Sequence, residues 1–157
     1  MEVVYLFYKE HTQRMNNSYR MICCLKQKLG GVIMEQKFYI CAHCGNIIAK
    51  VKDSGVPVMC CGQKMTEIIP GTTDASLEKH VPVYQVDVNK VTVTIGAVEH
   101  PMIPEHYIEW VSLQTKQGNQ RKPLEPGQEP KVCFALCEGD EVEAVYAYCN
   151  LHSLWKA

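Results

Sequence analysis

Apolar and polar positions alternate through residues 81–88 and again, strictly, through Val91-Thr92-Val93-Thr94-Ile95, with Asn89-Lys90 between the two runs. A period of two predicts strands with one face turned inward, and the polar pair predicts the turn of a hairpin. Three more runs rich in β-branched and aromatic residues follow, at 107–115, 131–137 and 142–149. The turn formers Gly118-Asn119, Pro126-Gly127 and Gly139-Asp140 separate them. Strands at this spacing, without a convincing helical period, predict an antiparallel β-sandwich over residues 71–157. Within the run Val-Cys-Phe-Ala-Leu-Cys, Cys133 and Cys137 are four residues apart, which places both on one face as small core residues.

The pattern before residue 71 is different. Residues 38–69 are short of large apolar side chains and carry Cys41-Ala42-His43-Cys44 and Cys60-Cys61, each pair followed by glycine. A segment of this size cannot fold on a core alone, and ligand capture supplies the missing stability, since metal binding and folding become one equilibrium. A Cys-x-x-Cys turn aims backbone amides at two sulfurs and a second cysteine pair completes a tetrahedron. On spacing alone, zinc and iron suit four thiolates equally. His43 is expected to be an exposed turn residue, because four thiolates already saturate the ion.

Residues 1–33 hold no sustained period of either kind, and Cys23-Cys24 has no companion pair nearby, so these two are read as incidental thiols. Codons for Gly30-Gly31 can spell a bacterial ribosome-binding sequence shortly before Met34. Met34 is therefore read as the start, with residues 1–33 a disordered extension or a mis-assigned beginning.

Nine cysteines are too many for chance in a chain of 157 residues, and an odd total leaves a thiol outside any complete disulfide framework. A reducing compartment would keep them free for metal, so a cytoplasmic location is expected. A net charge of -1 with scattered Lys and Arg argues against a strong grip on nucleic acid. No apolar run approaches the roughly 20 residues that a membrane span requires.

His80, His100, His106 and His152 all fall at predicted strand ends or in loops. His80 precedes the first strand, His100-Pro-Met-Ile-Pro-Glu-His106 forms one loop, and Cys149-Asn-Leu-His152 follows the strand at 142–149. Loops at one end of a rigid sandwich are where a metal site is most easily assembled. Four imidazoles and one thiolate leave one position open on a six-coordinate transition metal, and an open position is what catalysis requires.

These motifs, in this order, resemble the desulfoferrodoxins, the two-iron superoxide reductases. The resemblance rests on Cys-Ala-His-Cys-Gly-Asn at 41–46, Cys-Cys-Gly at 60–62, Glu-Lys-His-Val-Pro at 78–82, His-Pro-Met at 100–102, His-Tyr-Ile-Glu-Trp at 106–110 and Cys-Asn-Leu-His at 149–152. It covers residues 34–157, and residues 1–33 have no counterpart in the family pattern. It implies a small desulforedoxin-like domain at 34–70, where Cys41, Cys44, Cys60 and Cys61 hold a first iron. An immunoglobulin-like catalytic sandwich at 71–157 would hold a second, with His80, His100, His106 and His152 in the equatorial plane and Cys149 as the axial thiolate.

The implied reaction is a one-electron reduction of superoxide to hydrogen peroxide without release of dioxygen, in the oxidative-stress defence of an anaerobic or microaerophilic prokaryote. Lys79 would draw the anion in. Glu78 would occupy the sixth position of the oxidised iron and help organise proton delivery. Rubredoxin or a similar protein is implied as electron donor, and a homodimer as the assembly.

Overall fold

The computed structural model of the chain describes residues 35–157; the readings on residues 1–33, Cys23 and Cys24 lie outside them. Two sheets form an antiparallel sandwich. One has the order β10-β7-β6, made of β6 (Pro82–Asp87), β7 (Lys90–Ile95) and β10 (Lys131–Ala135). The other has the order β12-β11-β8-β9, made of β8 (Ile108–Thr115), β9 (Gly118–Pro123), β11 (Val142–Cys149) and β12 (Ser153–Lys156). The alternation predicted this: Val91, Val93 and Ile95 of β7 face Val111 and Leu113 of β8 and Val145 and Ala147 of β11 across one buried core.

The outer face of β8 and β11 is covered as well. Residues before the sandwich form a three-stranded sheet, order β2-β1-β5, from β1 (Lys37–Ile40), β2 (Ile47–Lys50) and β5 (Thr66–Ile68). A two-stranded ribbon pairs β3 (Met59–Cys60) with β4 (Gln63–Lys64). Phe38 and Ile68 of the small sheet pack on Trp110, Ala144, Tyr146, Tyr148 and Leu154. The Phe38 ring lies 4.9 Å from Trp110 and 5.4 Å from Tyr146; burying a side chain of this kind contributes about 2–3 kcal/mol. At the edge of this contact Gln36 N–H donates to Gln114 Oε1 and Ser112 Oγ donates to Gln36 Oε1, each at 2.9 Å.

Several expectations are corrected. The hairpin turn is Val88-Asn89, one residue earlier than the polar pair suggested, because Asp87 pairs with Lys90. Val88 carries φ +52 there, a region that a β-branched residue rarely enters. After Pro82, β6 is exposed throughout, so its alternation does not mark a buried face. Gly118-Asn119 begins strand β9 instead of standing alone as a turn, and β12 follows His152, so β11 is not the last strand. Cys133 and Cys137 are not core residues: Val132, Phe134 and Leu136 point inward, leaving Cys133 half-buried beside Thr92 and Cys137 exposed. Period two puts the two cysteines on one face, but it is the outer one. One helical turn, α1 (Leu77–His80), precedes β6. Among the described residues no helix is long and apolar enough to cross a membrane.

Candidate metal centres

The described cysteines are all free thiols. Cys41, Cys44, Cys60 and Cys61 bring their sulfurs within 4.8 Å of one another. Cys41 directly follows β1 and opens a tight turn in which Gly45 N–H donates to the Cys41 carbonyl and Cys41 N–H donates to the Asn46 carbonyl, both at 2.9 Å. The adjacent pair is explained by the β3–β4 hairpin. Cys60 faces Gln63, and the two turn residues Cys61 and Gly62 have φ +51 and +75. A turn with both central residues left-handed swings the Cys61 sulfur to the side of Cys60, where the two stand 3.9 Å apart. His43 is exposed, as expected, and contributes its backbone N–H.

The protonation of this cluster is uneven. Backbone N–H groups of Cys44 and His43 aim at the Cys41 sulfur and pull its pKa down to about 6. Cys61, crowded by Cys44 and Cys60, is pushed up to about 12, and Cys60 is raised for the same reason. Four sulfurs that cannot all ionise together fit a cation that replaces their protons.

The second cluster lies at the end of the sandwich. His80, His106, Cys149 and His152 bring their donor atoms within 4.8 Å of one another. His100 stands outside that tight group but completes a ring of imidazoles. Around the ring the centroids are 4.7 Å apart for His80–His100, 4.6 Å for His100–His106, 4.7 Å for His106–His152 and 4.7 Å for His152–His80. Neighbouring rings are close to perpendicular, at 79°, 75°, 78° and 82°, while His80 and His106 face each other across 5.9 Å at 28°.

The hydrogen bonds settle which nitrogens carry lone pairs. His80 Nδ1 lies 2.7 Å from the Ser76 carbonyl and His100 Nδ1 2.6 Å from the Pro101 carbonyl. A carbonyl only accepts, so both Nδ1 atoms hold the proton and both Nε2 atoms are bare. His100 Nε2 is buried without a partner. His152 Nδ1 stands 2.9 Å from His80 Nε2 and 3.1 Å from His106 Nε2. Nitrogens bound about 2.1 Å from one ion at right angles stand about 3 Å apart, the spacing seen here. The buried His100 lone pair has no proton to accept, and a transition metal among these donors would satisfy it.

Burial favours the neutral form of three of the rings: it lowers the pKa of His80 and His106 and takes His100 down to about 4. Burial also raises the Cys149 thiol, opposed by the backbone N–H groups of Leu151 and His152. Cys149 Sγ lies 3.7 Å from His152 Nδ1 and belongs to the sandwich core, so the sulfur approaches the ring from the protein side.

Two supports were not legible in the sequence. Trp155 of β12 stacks on His80 at 4.9 Å and 25°, and its Nε1–H donates to the His152 carbonyl at 3.0 Å. Gly96, at φ +82 after β7, lets the loop leading to His100 lie against α1. Glu78 and Lys79 are exposed on α1, and the Lys79 charge is felt at both His80 and His106.

Comparison with known proteins agrees with this architecture. Residues 72–157 match the family described as Desulfoferrodoxin. The desulfoferrodoxin of Nitratidesulfovibrio vulgaris is 42% identical over 78% of this chain and 96% of its own length. A desulfoferrodoxin homolog of Archaeoglobus fulgidus is 45% identical over 76% of this chain and 94% of its own. Among solved structures, the superoxide reductase from Treponema pallidum aligns with a TM-score of 0.67 at 36% identity, covering 78% of this chain and 97% of that one. With a four-cysteine group and a histidine–cysteine group consistent with that family's two iron sites, on a fold its sequences share over most of the chain, this protein belongs to the desulfoferrodoxin family.

Proposed function

We infer that the chain is a superoxide reductase: superoxide takes up one electron and two protons and leaves as hydrogen peroxide, and no dioxygen is made. The observation that carries this reading is the ring of four imidazoles set over one buried cysteine at the end of the sandwich. Iron held there, with a second iron at the four-cysteine group, would supply the one-electron chemistry. His80, His100 and His106 would bind through Nε2 and His152 through Nδ1, with Cys149 as the thiolate. Cys41, Cys44, Cys60 and Cys61 would hold the other ion. We divide this part of the chain into a desulforedoxin-like domain at 34–70, with the four-cysteine site, and a catalytic β-sandwich domain at 71–157.

The protein's own groups have distinct tasks. Ser76 and Pro101 carbonyls fix two imidazole tautomers, so no rearrangement is needed when the metal arrives. The Cys149 sulfur receives backbone N–H groups, which moderates its donation. Lys79 gives the approach a positive charge that raises the local concentration of an anion. Glu78 is held ionised by its own backbone N–H and by Ser76. An ionised carboxylate is a hard oxygen ligand for ferric iron, and this role suits it better than delivery of its own proton.

Rubredoxin or a similar one-electron protein would return the electron, in the cytoplasm. A second copy of the chain would pair at β6, an exposed sheet edge carrying Val83, Tyr84 and Val86 without a lysine to block it. The reaction is tested by pulsing the reduced protein with superoxide. One peroxide per superoxide with no oxygen supports a reductase. Half that peroxide with oxygen evolved would make it a dismutase.

A further inference from the structure

His106 sits in a loop. Within that loop Ile103 and His106 exchange backbone hydrogen bonds at 3.1 and 3.0 Å, which shapes the loop but does not fix it to the sandwich. Gly127 N–H anchors the earlier part of the loop at the Met102 carbonyl, at 2.6 Å, and Met102 packs on the sandwich core; next to His106 itself the contacts come from Asn150. Its side-chain oxygen accepts the Tyr107 N–H at 2.9 Å and its side-chain NH2 donates to the Glu105 carbonyl at 3.2 Å. Its own backbone N–H donates to the Tyr107 carbonyl at 3.1 Å. One amide therefore grips the chain on both sides of His106. Asn150 also follows Cys149 directly and lies two residues before His152.

We propose that Asn150 is a positioning residue that locks His106 in register with Cys149 and His152, so that the histidine–cysteine centre holds its metal tightly. This rests on the ligand assignment given above. The chemistry requires an amide. An aspartate keeps an acceptor for Tyr107 but sets a carboxylate against the Glu105 carbonyl, and an alanine loses both contacts. Because His106 Nε2 stands only 3.1 Å from His152 Nδ1, a shift of a few tenths of an ångström in the loop alters the donor set directly.

The test uses the full chain with both irons bound, comparing wild type with Asn150→Ala, Asn150→Asp and His106→Ala. Each is brought to equilibrium with a competing ferrous chelator. The iron left at each centre is then read from its own thiolate absorption after oxidation. The electron paramagnetic resonance of the oxidised histidine–cysteine centre reports its symmetry. Asn150→Ala is expected to weaken iron binding there by about 10- to 100-fold. Asn150→Asp should fall between alanine and wild type, the resonance should change shape, and the four-cysteine centre should keep wild-type affinity.

Affinity within twofold of wild type for Asn150→Ala, with His106→Ala strongly weakened, would overturn the positioning role and leave the ligand assignment standing. Equal loss at both centres, in both Asn150 variants, would show a general fold defect and also overturn it. Unchanged affinity in His106→Ala would overturn the ligand assignment, and this inference with it.

Discussion

Gly96→Ala should disable the histidine–cysteine centre while leaving the four-cysteine centre loaded. A methyl group at Gly96 would stand 2.3 Å from the Val98 carbonyl oxygen and 2.7 Å from that of Lys79. Both are backbone atoms, so neither can swing aside. Gly96 N–H donates to the Val81 carbonyl at 3.1 Å and Val98 N–H to the Glu78 carbonyl at 2.9 Å, and these bonds hold the loop before His100 against the helical turn that carries His80. A non-glycine residue at φ +82 costs about 1–2 kcal/mol. Relieving the clash breaks the two hydrogen bonds, each contributing about 1 kcal/mol net. The local sum of about 3–4 kcal/mol lowers the equilibrium ratio of the arrangement with His80 and His100 in place to a displaced one by roughly a few hundred-fold. Iron affinity at that centre should fall by the same factor, measured by metal analysis and by the separate absorption of each centre, together with thermal unfolding. Full iron at both centres with an unchanged midpoint would refute the reasoning.

Lys79→Ala should slow superoxide capture by about three- to tenfold at low salt and flatten its dependence on ionic strength, as removal of a single steering charge does; an unchanged second-order rate excludes steering. Tyr146, raised to about 12 by burial with Glu35 adding to the effect, stays neutral in the fold while an unfolded tyrosine ionises near 10. Its contribution is therefore complete below about pH 10 and is lost as pH climbs toward about 12, at most about 3 kcal/mol. Tyr146→Phe should remove that slope in alkaline denaturation, and an identical slope in the variant would assign it elsewhere. Val88→Asn relieves a β-branched residue at φ +52 in an exposed turn, with an expected gain of about 1 kcal/mol, or about 4 °C. A lower midpoint would mean that the turn is not strained.

What the sequence disclosed and what it hid divide along a physical line. Donor chemistry is restricted by residue type: only cysteine offers a thiolate and only histidine an imidazole nitrogen, so their spacing was legible without coordinates. The sandwich was legible where one face is buried, as in Val91, Val93 and Ile95. Strand β9 was not, because Gly118-Asn119-Gln120-Arg121-Lys122-Pro123 is an edge whose side chains face water and leave no alternation. Helix α1 is too short to express a period of 3.6. The Cys133 and Cys137 assignment failed because period two identifies a shared face without saying which face is inside. The supports of the metal site failed to register for a different reason. Gly96 and Asn150 act on backbone atoms of Lys79, Val98, Glu105 and Tyr107, which carry no sequence signature. A glycine after a strand and an asparagine in a turn are what ordinary turns use. Their function comes from what the fold lays against them, and the precision of the histidine ring depends on it: ligands on three separate segments meet within a few ångströms because those segments are tied to each other by backbone contacts.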